Sequence, residues 1–173
     1  MPDSWAWCAL GDVCDYGNCK REKPDRIPDG AWILDLEDIE KDTGEIVAYV
    51  KKSEREFNGP KNFFAKGQVL YSNLRPYLNK VLVAPRNGYC TTEIVPLDLE
   101  GGIHSGYIRH LLMSNYFLDY ASICAYGVKM PRLGAENAKK ALIPLPPIAE
   151  QRRIATAIEA AFAQLDAVAE NLN

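Results

Sequence analysis

The sequence predicts an α+β fold: a mainly antiparallel curved sheet with one flanking helix, followed by a projecting C-terminal helix. Three observations carry this expectation. Short apolar runs bounded by Gly, Pro and Asn recur between residues 32 and 95, at strand rather than helix length. The period changes after Gly106, where Tyr107, Ile108, Leu111, Leu112, Leu118 and Tyr120 fall on helical spacing. From Ile154, the apolar positions Ile154, Ile158, Ala161, Leu165, Val168 and Leu172 recur at alternating steps of four and three, a heptad seam suited to lie against another helix.

Taken in order, residues 15–31 hold Gly17, Asn18, Pro24, Pro28 and Gly30 and read as a long exposed loop. Trp32 to Leu36 reads as a strand, with a turn near Thr43-Gly44 and another strand from Ile46 to Val50. Asn58-Gly59-Pro60 breaks the chain before Phe63. Further strands are expected at 68–71, 79–84 and 89–95, with a turn from Pro85 to Gly88. A helix beginning near Gly106 packs onto this sheet. The segment 141–147 closes the body, and Pro146 and Pro147 restrain the backbone before a helix they can precede but not interrupt. Ala157, Ala160, Ala161, Ala163 and Ala167 favour that helix and permit close approach. The organisation expected is a body at 1–147 and a helix at 148–173.

A chain of 173 residues with 47% hydrophobic and 25% charged residues fits one globular domain with a sizeable core. No apolar run approaches the roughly twenty residues of a membrane helix, and the acidic, tryptophan-bearing start is unlike a signal peptide. A cytoplasmic protein is expected. The cysteines Cys8, Cys14, Cys19, Cys90 and Cys124 form no CxxC pair and read as reduced thiols, with a metal contribution from Cys14 and Cys19 as the alternative. Net charge is −3, but unevenly placed. Residues 35–45 hold six acids against Lys41, whereas no acid lies between Phe57 and Thr92, where Lys61, Lys66, Arg75, Lys80 and Arg86 occur. This is either a positive face for phosphates or an ordinary solvated asymmetry.

Catalytic patterns are missing from the sequence. Gly101-Gly102 is a turn and not a phosphate loop, and the Asp-Pro-Pro-Tyr or Asn-Pro-Pro-Phe signature of amino-methyltransferases does not occur. No acid-x-Lys triplet of the common restriction-nuclease site is found. His104 and His110 stand six residues apart, on different sides of a helix, and read as surface or capping histidines. Ser105 lacks an identifiable acid partner for triad chemistry. No catalytic residue and no metal ligand is expected.

Four segments, in order along the chain, resemble one family. Pro144-Leu145-Pro146-Pro147-Ile148-Ala149-Glu150-Gln151-Arg152-Arg153-Ile154-Ala155 looks like the end of a target recognition domain in the DNA-specificity subunit of type I restriction-modification systems. Trp7 with Leu10-Gly11-Asp12-Val13 is similar to that family's opening. Residues 66–80, from Lys66-Gly67-Gln68-Val69-Leu70 to Leu78-Asn79-Lys80, resemble its central strand and loop, with Thr92-Glu93 following. Gly127-Val128-Lys129-Met130-Pro131-Arg132-Leu133 resembles its glycine-to-proline segment. The resemblance implies a target recognition domain that reads half of a split target in double-stranded DNA, with a helix that spaces two such domains. It also implies docking to methyltransferase subunits, and to restriction subunits in the full complex. S-adenosylmethionine, Mg and ATP would then belong to partner subunits, with none bound by this chain, in a prokaryotic cytoplasm. With one such domain, the chain would be a half-sized subunit able to form a homodimer through its helix, or a fragment.

Long cationic and amide side chains on exposed loops are the natural readers of phosphates and base edges. The DNA-binding candidates are Asn18, Lys20, Arg21 and Lys23 in a first loop; Ser72, Asn73, Arg75, Tyr77 and Lys80 in a central loop; and Tyr126, Lys129 and Arg132 in a late loop. The partner helix would use Ile154, Ile158, Ala161, Leu165, Val168 and Leu172. A helix-mediated assembly protein without DNA binding is the competing reading.

Overall fold

Runs such as Val69-Leu70-Tyr71-Ser72 and Ile94-Val95-Pro96-Leu97 are buried at every position, the behaviour of strands covered on both faces. The computed structural model describes residues 2–171 and explains why. Its strands are β1 (Ala6–Ala9), β2 (Arg21–Glu22), β3 (Trp32–Leu34), β4 (Val50–Lys51), β5 (Lys61–Phe64), β6 (Val69–Ser72), β7 (Val81–Val83), β8 (Gly88–Cys90) and β9 (Ile94–Leu97). Helices α1 (Ser105–Met113), α2 (Asn115–Cys124) and α3 (Ala135–Lys140) follow, then β10 (Leu142–Leu145) and α4 (Ile148–Glu170).

The antiparallel sheet β7-β6-β9 is the middle layer. Alternate residues leave it in opposite directions. Val69, Tyr71, Val81, Val95 and Leu97 join Leu10, Tyr107, Ile108, Leu112, Phe117 and Ile143 in one apolar cluster, under α1 and α2. Leu70, Leu82 and Ile94 point the other way, into a second cluster with Trp32, Leu34, Ile39, Phe64 and Cys90. That second cluster is roofed by a five-stranded sheet of order β2-β5-β8-β3-β4, antiparallel except for the β3–β8 pair. Pro96 is tolerated because β9 is an edge strand. The strand β1 pairs antiparallel with β10, Ala6 opposite Leu145 and Ala9 opposite Leu142, so the start of the body is tied to the segment preceding α4.

The predicted α+β architecture is present, with several differences in its parts. Val47 and Tyr49 are 62% and 50% exposed, and the strand expected at Ile46 to Val50 shrinks to one bridge, Ile39 to Ile46, plus β4. The single strand expected at 89–95 is two: a turn closed by Ile94 N–H on the Thr91 carbonyl moves the chain from one sheet to the other. The helix expected after Gly106 is likewise two, because the Ser114 hydroxyl accepts from the Phe117 N–H and caps a new helix. Within 15–31, Tyr16 and Ile27 are buried and β2 forms, so this stretch is not wholly an exposed loop. Helix α3 has no counterpart among the elements expected from the sequence. The turn at Thr43-Gly44 is where expected; Gly44 has φ +72°, and a Cβ there would stand 2.0 Å from the Val81 carbonyl oxygen.

The charge asymmetry is largely consumed inside the fold. Arg55 binds the buried Asp38 with both terminal nitrogens and lies 3.3 Å from Asp35, while Lys61 reaches Asp35 at 2.7 Å. Lys80 Nζ donates to the Leu36 carbonyl at 2.7 Å, and Arg86 stacks 3.9 Å above the Tyr49 ring. The run of positive charges is therefore not a continuous positive face. Burial raises the Cys14 thiol to about 12 and holds Cys90 well above the ordinary range, so both are protonated; all five cysteines are unpaired. Replacing Arg55 with Ala strands Asp38 in the interior and should cost about 3–5 kcal/mol, measurable by urea denaturation.

Candidate nucleic-acid interface and projecting helix

The late loop is a short finger with a braced base. Tyr126 and Arg132 exchange backbone hydrogen bonds of 3.0 and 2.9 Å, and Gly127 turns the chain at φ +104°. The Arg132 guanidinium donates to both Glu93 oxygens, at 2.9 and 2.7 Å. The central loop is fused to this base: Arg75 N–H donates to the Pro131 carbonyl at 2.7 Å, Leu133 N–H to Asn73 at 2.9 Å and Asn73 N–H to Glu93 at 3.0 Å. Arg75 itself adopts the left-handed region at φ +50°, uncommon for a residue with a side chain. A Cβ on Gly134 would lie 3.2 Å from the Tyr126 ring, and one on Gly17 would lie 3.8 Å from Ala135, so the first loop begins beside the start of α3, three residues beyond the finger.

The predicted DNA-contact residues divide by what already holds them. Ser72 is buried and its hydroxyl donates to the Leu74 carbonyl, so it is a strand residue and not part of an exposed loop. Lys80 is committed to Leu36 and burial lowers its pKa; Arg132 is committed to Glu93. Asn18 donates to Asp15 at 2.6 Å, and Lys20 lies 3.6 Å from Glu22. Asn73, half-buried, joins the two loops through its backbone. Arg21, Lys23, Tyr77, Tyr126 and Lys129 are exposed. The Arg75 Nε is buried without a hydrogen-bond partner among the described residues. Val128 and Met130, which composition gave no reason to select, are also exposed at the finger tip.

The C-terminal helix has two halves. In the first, Gln151 and Ala155 are buried and Ile154 and Ile158 half-buried against the body, so these two seam positions serve this chain's own packing with α1. In the second, Ala161, Leu165 and Val168 are exposed, with Phe162 beside them; Leu172 lies outside the described residues. A groove of about 520 Å³ between α4 and the body is lined by Met113, Arg109 and His110 on one side and Ile158 and Phe162 on the other. His104 caps α1, its Nδ1 accepting from the Tyr107 N–H at 3.3 Å, as the sequence suggested. Burial, and then the neighbouring Arg109, lower the pKa of His110. Among the described residues no group of three or more His, Cys, Asp or Glu side chains is placed to hold a metal ion, and no helix is long and apolar enough to cross a membrane.

The family model for the type I restriction modification DNA specificity domain matches residues 2–173. The chain belongs to this family. It is 28% identical, over all 173 residues, to the type I restriction enzyme EcoDI specificity subunit of Escherichia coli, of which it covers 38%. The fold of this specificity domain is shared with the HsdS subunit of Thermoanaerobacter tengcongensis, at TM-score 0.82 and 23% identity over 98% of this chain and 45% of that one. A chain from a structure of type I R-M system assembly and conformational transition gives TM-score 0.81 and 24% identity, with the same coverages. The S subunit from M. genitalium gives 0.60 and 17%, over 96% and 41%. The specificity domain thus spans less than half the length of each of these relatives.

Two outcomes follow from the site's geometry. Arg132→Ala removes the brace of the finger and should accelerate tryptic cleavage after Lys129 while leaving the circular dichroism spectrum unchanged. His110 has a folded pKa below its ordinary 6.5, so the unfolded chain takes up the proton more readily. The stabilisation is therefore present above about pH 6.5 and is lost as pH falls below it. Thermal unfolding should shift to lower temperature between pH 7.5 and 5.5, and His110→Gln should remove that part of the shift.

Proposed function

We propose that this specificity domain reads one half of a bipartite target in double-stranded DNA and docks methyltransferase subunits, without chemistry of its own. S-adenosylmethionine, Mg and ATP are then bound by the methyltransferase and restriction partners, in the cytoplasm of a prokaryote. The supporting observation is the braced unit of late and central loops. It presents Tyr77, Tyr126 and Lys129 to solvent, keeps the Arg75 guanidinium free of carboxylate partners among the described residues, and is built on a stretch without acids between Asp119 and Glu136. Lys129 and Arg75 suit phosphates, and the two tyrosines and Arg21 can approach base edges or sugars.

The exposed half of α4 supports the second part of this reading. Leu165 and Val168, 63% and 57% exposed, continue the seam of Ile154 and Ile158 beyond the body. An apolar stripe on a projecting helix is covered by another helix, from a second domain or a second copy of this chain.

Binding to a random-sequence duplex should weaken steeply with salt. Arg75→Ala with Lys129→Ala should lower affinity and reduce the log–log salt slope by about 2, roughly 0.9 for each phosphate no longer neutralised. A slope unchanged by the double substitution would remove these loops from the interface, and binding indifferent to salt and DNA would favour the assembly-only reading. Methylation of a random library by the complex with a methyltransferase subunit should mark adenines in one short motif. Leu165→Asp with Val168→Asp should abolish helix-mediated association in sedimentation while the body stays folded, because the unpaired carboxylates cannot be buried.

A further inference from the structure

We infer that Gln151 is the positioning residue that sets the angle between α4 and the body, and through it the spacing between two half-targets. The second clause rests on the helix pairing proposed above; the first stands on geometry alone. Gln151 is a buried polar residue, 3% exposed, one turn into α4. Its Oε1 accepts from the His104 N–H at 2.9 Å, and its Nε2 donates to the Pro146 carbonyl at 2.8 Å. One amide thereby ties the first turn of α4 to the residue that caps α1 and to the segment that leaves β10.

Two other polar contacts lie nearby: the Tyr107 hydroxyl donates to the Pro144 carbonyl at 2.6 Å, ahead of α4, and His110 Nε2 stands 3.8 Å from Glu159 further along it, but neither holds the first turn of α4 itself. Ala155 sits over Gly106, where a Cβ would stand 3.4 Å from its own, and Ile154 and Ile158 add apolar packing with the body. Apolar packing holds the helix down but is non-directional and tolerates small tilts and slides. A hydrogen bond weakens steeply when its angle is lost, so a buried amide bonded on both sides resists both movements. The side chain is specific to the task. Glutamate keeps the acceptor for His104 and loses the donor to Pro146, and methionine keeps the volume and loses both. The neighbouring Glu150 and Arg153 pair with each other at 2.6 and 2.8 Å on the exposed side and leave this joint to Gln151.

The angle matters because α4 is a lever. Its 23 residues span about 34 Å, so a tilt of about 10° at the root moves the far end by about 6 Å, close to two base pairs of about 3.4 Å each. Fixing the separation of half-targets to a single base pair requires a root as stiff as the helix.

The test uses the full chain with nitroxide labels on ketone-bearing residues placed at the exposed positions Ser53 and Ala167, read by pulsed electron paramagnetic resonance. The expected result is one narrow distance for the parent chain, a distribution broadened or displaced by on the order of 5 Å in Gln151→Met, and an intermediate width in Gln151→Glu. Ile154→Val, which trims apolar packing but leaves the amide in place, should lower the melting temperature and keep the narrow distance. A broad distance in the parent chain, or a Gln151→Met or Gln151→Glu distance as narrow as the parent's and equal to it, overturns the inference; a folded glutamate variant decides the matter if the methionine variant does not fold. In the methyltransferase complex, Gln151→Met should broaden the range of base pairs tolerated between methylated half-targets. A parent complex that methylates no split target defeats the DNA reading and leaves the distance measurement to decide the role of Gln151.

Discussion

A three-stranded sheet buried on both faces is the constraint from which most of this molecule follows. Because β6, β7 and β9 have no wet side, each needs an apolar layer above and below, and the chain supplies α1 and α2 on one face and a second sheet on the other. The consequence reaches the candidate interface. The end of β6 at Ser72 and the start of β9 at Ile94 are paired, so the loops leaving them, at Asn73 and Glu93, emerge side by side. The late finger then has one place to brace, through Arg132 on Glu93 and Leu133 on Asn73.

Electrostatics are divided between the fold and the surface. Asp35 and Asp38 are neutralised by Arg55 and Lys61, and Glu93 by Arg132, before any external partner is considered. Net charge therefore says little about phosphate binding here: what counts is which cations are left over. Lys129 at the finger tip and Arg75 at its root are among those left over, and they stand on the same rigid loop unit. Arg75 is also held in a left-handed backbone conformation by its N–H bond to Pro131, a strained arrangement that the surrounding bonds over-determine.

The last helix shows the same division between internal and external duty. Its seam is one continuous pattern, but α1 packs against the first half, while Leu165 and Val168 in the second are exposed. The buried polar residue of the first turns, Gln151, bonds on both sides inside, whereas the half-buried Glu150 and the exposed Arg153 pair with each other. A helix anchored at its root and apolar at its far end is suited to transmit a fixed geometry from one body to another.

Local pattern was enough for the elements whose cause is local. The strand at Trp32, the glycine turn at Gly44, the capping role of His104 and the heptad seam of α4 are all written in neighbouring residues, as is the resemblance that places the chain in its family. Contacts between distant residues decided the rest. Nothing near Arg132 in sequence announces Glu93, and nothing near Lys80 announces the Leu36 carbonyl, yet these partners determine which candidate cations are already committed inside the fold. The split of 89–95 into two strands, and of the helix after Gly106 at Ser114, likewise depends on which layer each half must cover. Periodicity along a chain reports the face a residue turns inward; only the packed structure reports what waits there.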